Sequence, residues 1–334
     1  MSRSTDARAR SMRVATDVAR RLPPVARVID ERNHYAAEIQ RLKSELAEAE
    51  TQLRAASSTD DVAPLYPPGH FYSPLPDLAE IERDHGRVFA DRESFPGIDL
   101  RTDAQLRLAA EIADATRDQP FQDRPSDGPR YYFGNDYFGY GDAVVLHGLL
   151  RMWRPARLIE VGSGFSSALI LDTDDRYLGG SVQMTFIDPY PDRLQSLLRP
   201  EERADVVQKR VQDVDPKVFG TLGPGDMLFI DSSHVAKVGS DVLFLLLDVL
   251  PELPAGVHVH IHDIGWPFEY SPAWVFEGRA WNETYLLHAL LVNNEHLRII
   301  WFADYLSIHH RDQVAELLPI WGRNTGTSMW LDTA

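Results

Sequence analysis

The sequence predicts an α/β protein: a seven-stranded, mostly parallel sheet with helices on both faces, preceded by an N-terminal coiled-coil helix. Three observations carry this. Short apolar runs alternate with helical stretches from residue 157 onward. The first run leads directly into a small-residue loop, Gly162-Ser163-Gly164-Phe165-Ser166-Ser167. Upstream, Tyr35, Ile39, Leu42, Leu46, Ala49 and Leu53 are spaced 4-3-4-3-4, a heptad seam.

Taken in order, residues 1–33 form a basic arm, in which the stretch holding Arg3, Arg8, Arg10, Arg13, Arg20 and Arg21 has only two acids. It is expected to be a flexible, solvated tail. Residues 34–56 are the coiled-coil helix, with Glu38, Arg41, Lys43, Glu45, Glu48 and Glu50 off the seam. A helix this short is marginal alone, so it is expected to pair with a second copy or to pack on the body. Residues 57–130 form a cap or lid segment. It is rich in Ser, Asp and Pro as far as Pro76, and carries one helix from Thr102 or Asp103 to Ala113. Residues 131–334 form the main domain, opened by an aromatic, glycine-rich run from Tyr131 to Gly141. There Asp142 is expected to cap a helix over Ala143–Trp153 that Pro155 ends. The strands expected are Leu158–Val161, Met184–Ile187, Val206–Val211, Met227–Ile230, Val257–Ile261, Leu297–Phe302 and Thr327–Leu331. The clearest helices are Asp241–Leu250, Asn282–Asn293 and His309–Leu318. Repeated strand–helix–strand units require right-handed crossovers and hence a parallel sheet covered on both faces.

Composition narrows the function. The chain of 334 residues has 50 acidic against 34 basic side chains, a net charge of −16. Such a surface repels phosphate backbones, so no nucleic-acid partner is expected. There are no cysteines, which excludes disulfide frameworks, thiolate nucleophiles and iron–sulfur clusters. No apolar run is long enough to span a bilayer, and no signal peptide is visible. The expectation is a cytoplasmic protein with a small-molecule partner.

The glycine loop carries the next step. Glycine permits the tight turn, and the following helix offers free N–H groups at its start. At a strand end of an α/β sheet, such a loop is where a nucleotide-like ligand sits. A dinucleotide fingerprint needs a third Gly or Ala where this chain has Ser167. Glu160, two residues before Gly162, is a carboxylate where a pyrophosphate would be repelled, whereas a ligand with an ammonium and a sulfonium benefits from it. Glu160-Val161-Gly162-Ser163-Gly164 resembles the first motif of class I methyltransferases that use S-adenosylmethionine, whose sheet is Rossmann-like. Asp188 resembles the acid ending their second strand, and Gln212-Asp213 their adenine-contacting pair. The resemblance implies that Glu160, Gly162, Ser163, Gly164, Ser166, Asp188, Gln212 and Asp213 hold S-adenosylmethionine.

Two further strand ends carry polar clusters, Asp231-Ser232-Ser233-His234 and His258-Val259-His260-Ile261-His262-Asp263. This pattern resembles the group containing metal-dependent macrolide-sugar O-methyltransferases and cephalosporin-hydroxylase-like proteins. That resemblance implies Asp231, His262 and Asp263 as ligands of a divalent metal such as Mg2+, with Asp231 and His234 as the catalytic pair and His234 as general base. In the sugar enzymes the position of His262 is an acid, a departure in this chain. A histidine can take a hydroxyl proton near neutral pH, and a divalent ion lowers the hydroxyl's pKa. His258 and His260 are expected to be structural. An iron site from His260, His262 and Asp263 is disfavoured because positions three apart on a strand face opposite sides. Trp266, Tyr270 and Trp274 in the long aromatic loop after Asp263, together with Tyr137 and Tyr140, are expected to wall an acceptor pocket, with residues 64–77 folding over its mouth. The acceptor class expected is a hydroxyl of a sugar or secondary metabolite. Two rivals stand beside this reading: an NAD(P)-dependent oxidoreductase on a similar sheet, and a non-catalytic coiled-coil scaffold retaining a degenerate cofactor fold.

Overall fold

Among the described residues the regular structure begins at Asp77, whose carboxylate accepts the backbone N–H groups of Ala79 and Glu80 and caps helix α1, Leu78–Arg83. The computed structural model describes residues 65–199 and 204–334. The basic arm, the coiled-coil helix and the opening of the cap segment lie outside the described residues.

Residues 68–334 form one compact unit. After α1 come α2 (His85–Val88) and α3 (Thr102–Ala115), the latter where the sequence places it. Ala109 and Ile112 of α3 are fully buried, packing the helix on α4 (Tyr140–Trp153) and on strand β6 (Leu297–Phe302). Every residue of α4 from Gly141 to Leu150 is buried, as befits a helix apolar nearly all round. α4 starts three residues earlier than expected, behind Gly139, and Asp142 is not its cap. Asp142 sits in the first turn, where its carboxylate accepts the Ser328 hydroxyl at 2.5 Å and fills the space a Cβ would need at Gly326, which has φ +75°.

The sheet order is β3-β2-β1-β4-β5-β7-β6. Its other strands are β1 (Arg157–Val161), β2 (Gln183–Ile187), β3 (Asp205–Val207), β4 (Met227–Ile230), β5 (His258–Ile261) and β7 (Met329–Thr333). β1 to β5 pair in parallel, and β7 runs antiparallel to both of its neighbours. All four residues of β4 are buried, the pattern of a central strand covered on both faces. From β1 the chain winds outward through α5 (Phe165–Thr173) to β2. Beyond α6 (Asp192–Leu197) and β3 it returns to β4 and winds the other way through α7 (Asp241–Leu243) to β5. Right-handed crossovers in opposite directions put the two helical layers on opposite faces. The strand order reverses between β1 and β4, opening a crevice at their carboxyl ends. The sheet of dinucleotide-binding dehydrogenases runs 3-2-1-4-5-6. An antiparallel strand inserted before the sixth is foreign to it, which counts against the oxidoreductase rival.

Some elements differ from expectation. β3 stops at Val207, not Val211. It is an edge strand with one neighbour, and the Arg210–Asp213 ion pair folds Val211–Asp213 into a 3₁₀ turn. The helix expected at Asp241–Leu250 starts behind Ser240, widens to a π-helix at Phe244–Val249 and tightens to 3₁₀ at Leu250–Glu252, where Pro251 has no N–H to donate. The aromatic loop contains a short helix, α8 (Pro272–Phe276), capped by Ser271. α9 (Glu283–Leu291) follows. The helix expected at His309–Leu318 is α11 (Arg311–Leu317), and a further helix not expected from the sequence, α10 (Ala303–His309), precedes it, the two parted at His310.

Candidate functional site

The crevice is floored by the glycine loop. Gly162 has φ +81°, and a Cβ there would lie 2.2 Å from the carbonyl oxygen of Asp231 on the neighbouring strand end. Only glycine lets the loop pass so close to β4. Asp188, at the end of β2, accepts the Ser163 backbone N–H at 2.9 Å and its hydroxyl at 2.7 Å, fixing the turn. Its other oxygen accepts the Tyr190 N–H. Glu160 is fully buried. Its Oε1 accepts the Ser166 hydroxyl at 2.5 Å, while Oε2 has no partner. Burial pushes this carboxyl up to about 8, against the opposing hydrogen bond from Ser166. Arg193, unforeseen in the sequence, runs along Gly164 and lays its guanidinium over the Tyr137 ring at 3.6 Å. Tyr137 in turn stacks on Phe165. Gln212 donates to the Gly239 carbonyl, and Asp213 is exposed and paired with Arg210.

At the ends of β4 and β5 three carboxylates surround one imidazole. His234, with φ +59°, directs Nδ1 to Glu283 at 2.9 Å, while Nε2 lies 3.4 Å from Asp231 and 3.6 Å from Asp263. Glu283 is fully buried at the start of α9 and also accepts the Ser232 hydroxyl. The backbone N–H groups of Asn282 and Glu283 donate to the His234 carbonyl, locking helix to loop. Burial alone would lower the His234 pKa, but the hydrogen bonds and charges of Asp231 and Glu283 outweigh it and push it up to about 10. Asp231 is held low: desolvation raises it, but His234, His262 and Arg193 prevail. An imidazole that titrates near neutrality, the sequence expectation for His234, is therefore not what this cluster holds.

The expected metal set is not assembled either. Among the described residues no three His, Asp or Glu side chains are grouped to hold a metal ion. Asp231 and Asp263 converge on His234, and His262 sets Nδ1 3.3 Å from Nε2 of His260 while its own Nε2 lies 3.7 Å from Asp263. A cation on the two carboxylates would have to displace the imidazole that bridges them. His260 is stacked on Phe229 in the core and His258 on Trp153, both structural as expected.

The five aromatic residues expected to wall one pocket part company. Tyr270 and Trp274 line a cavity of about 340 Å³ with Trp281 and Tyr285, and Pro68, Pro74, Leu75 and Pro76 of the 64–77 segment also line it. Trp266 is buried among Phe95, Phe268, Phe302 and Tyr305, its indole N–H donating to the Arg92 carbonyl. Loop aromatics are drawn into the core wherever an apolar neighbour awaits. Tyr137 stands over the glycine loop, and Tyr140 stacks on Phe133 with its hydroxyl on Arg323. Glu283 and Trp281 escaped the sequence reading because each meets His234 only through the fold.

Residues 159–264 match a family model described as a methyltransferase domain. An uncharacterised protein of Archaeoglobus fulgidus is 32% identical over 174 residues, spanning 51% of this chain and 79% of the archaeal one. The chain belongs to one family with that protein, and its strand order and acid-glycine loop make it a class I S-adenosylmethionine-dependent methyltransferase. Among solved structures, the S-adenosylhomocysteine-bound methyltransferase PaMTH1 of Podospora anserina is 12% identical with a TM-score of 0.38, covering 78% of this chain and 98% of its own. The O-methyltransferase TomG of Streptomyces achromogenes, bound to S-adenosylmethionine, is 13% identical with a TM-score of 0.35, covering 77% and 97%. Likeness at this level says nothing of the reaction in this chain. No helix among the described residues is long and apolar enough to cross a membrane.

Proposed function

We propose that this methyltransferase alkylates a hydroxyl of a small molecule, with His234 as the proton acceptor. The observation behind it is the imidazole Nε2, turned from its buried partner Glu283 towards the strand-end crevice beside the Gly162 loop. The residues present suit the cofactor. Glu160 Oε2 is a buried oxygen without a partner, and Asp188 stands at the second strand end, where a ribose is held in such sheets. S-adenosylmethionine supplies, when bound, an electrophilic methyl group and a neutral thioether leaving group. The protein's part is to hold the hydroxyl oxygen in line and to accept its proton on His234 Nε2 as the oxygen–carbon bond forms. The carbon–sulfur pair remains on sulfur, so no acid is needed.

The first test is calorimetric titration with S-adenosylhomocysteine beside NADH. Micromolar binding of the first and none of the second is expected; the reverse overturns the reading. Glu160 adds a pH signature. Below about 8 its carboxyl keeps a proton, which must leave before a carboxylate can meet an ammonium. Affinity should therefore rise by up to about tenfold per pH unit towards pH 8 and level off above it. A flat profile from pH 6 to 8 removes Glu160 from ligand contact.

His234→Ala should lower turnover by about 10²–10⁴-fold with S-adenosylhomocysteine affinity unchanged. Since the imidazole loses its proton only near 10, kcat/KM should climb with pH into the alkaline range. Glu283→Gln removes one raising carboxylate and should bring that climb to lower pH. Unchanged turnover of His234→Ala, or a climb that Glu283→Gln leaves in place, rejects the base assignment.

A further inference from the structure

The cavity beside His234 has a lining that speaks to the acceptor's chemistry. Its volume, about 340 Å³, lies at the small end of ligand sites and suits one or two fused rings. One wall is aromatic, Tyr270, Trp274 and Trp281, and the facing wall is aliphatic, including Leu75, Leu78 and Ile81. Leu75 and Leu78 are 41% and 38% exposed, large apolar side chains with their faces open to the cavity mouth. Three polar side chains of the lining have partners within the protein. Arg279 lies against the Trp274 and Trp281 rings at 4.6 and 4.7 Å, with its Nε donating to Glu277 at 2.8 Å. The Tyr285 hydroxyl donates to Glu269, and the Asn282 amide is joined to both backbone groups of Ala236. A polyol placed here would give up water for few new partners, and each unpaired hydroxyl is a penalty. A flat apolar ring gives up nothing of the kind and gains stacking area.

The cavity adjoins the transfer site. The Trp281 ring lies 4.4 Å from the imidazole of His234, His234 Nε2 faces Asp231, and the Asp231 carbonyl lies against Gly162. One side chain thus separates the cavity from the proton acceptor.

We propose that this cavity receives the methyl acceptor and that the acceptor is a flat, largely apolar ring compound bearing the hydroxyl, stacked on Trp274 and Trp281 under Leu75 and Leu78. This rests on the methyl-transfer reading above, and it replaces a sugar with an aromatic or fused-ring alcohol as the substrate class.

The test uses the full-length protein and two probes, 2-naphthol and methyl α-glucopyranoside, titrated by calorimetry with and without saturating S-adenosylhomocysteine. Naphthol should bind with a Kd below about 1 mM and the glucoside should give no binding heat. Trp274→Ala and the half-exposed Leu78→Glu should each weaken naphthol at least about tenfold, with S-adenosylhomocysteine affinity reporting that each variant is folded. Binding of the glucoside without naphthol, or of neither, overturns the proposal. So does naphthol binding that both variants leave intact. If the unmodified protein fails to bind S-adenosylhomocysteine, the methyl-transfer reading falls, while the naphthol titration without it still reports on the cavity.

Discussion

A Gly162→Ala protein is expected to lose S-adenosylhomocysteine binding by at least about a hundredfold. Two costs coincide. The backbone at φ +81° is a conformation that an L side chain enters only with strain of about 1–2 kcal/mol. The new methyl would also sit 2.2 Å from the Asp231 carbonyl, so the loop and the end of β4 cannot both keep their places. The displacement passes to Asp231 and then to His234, disturbing the cofactor loop and the transfer site together. Gly164→Ala is the control. There φ, at 170°, lies outside the left-handed region, and the added carbon meets at 3.0 Å only the Arg193 side chain, which can swing aside. Calorimetry on both variants, with thermal unfolding to confirm folding, decides it. An affinity for Gly162→Ala within about threefold of the parent removes the loop from the ligand site.

The other large effect is on stability. Asp172→Ala should cost about 3–5 kcal/mol, the range for stranding one member of a buried ion pair. Asp172 and the Arg130 side chain are 5% and 3% exposed and meet at 2.5 Å. The same carboxylate accepts the backbone N–H groups of Arg130 and Tyr131 at 2.7 and 2.8 Å. Without it, the guanidinium keeps the half-exposed Asp175, and two buried N–H groups lose their acceptor. Burial works to raise the Asp172 pKa against those donors, so the carboxylate is held by its partners alone. The pair ties the aromatic approach segment to the last turns of α5, the helix that begins at the glycine loop, so cofactor affinity should fall along with stability. The urea midpoint measures it, and a loss below about 1 kcal/mol shows that the chain relaxes around the gap.

The parallel strands were legible because a strand buried on both faces must be a short apolar run, and Leu158–Val161 and Met227–Ile230 are such runs. The glycine loop was legible because its backbone constraint admits few residue types. Side-chain partnerships were not. His234 and Glu283 are 49 residues apart, and nothing local distinguishes a buried carboxylate at the head of α9 from a solvated one there. The same blindness made Asp142 look like a helix cap, whereas it serves Ser328, and made Asp231, His262 and Asp263 look like a metal set, whereas His234 stands between the two acids. Trp266 and Trp274 read alike in one aromatic loop, yet one entered the core and the other the cavity, according to which neighbours the loop's path brought near.

The position of β7 also sets an order of events during synthesis. β6 is made before β7, yet its only partner in the sheet is β7, which alone joins it to β5. While the ribosome has yet to deliver residues 329–333, β6 has no place to dock and β5 presents an open edge, the kind of edge that recruits strands from other chains. The joining of β6 to the rest of the sheet thus rests on a single five-residue strand, Met329–Thr333.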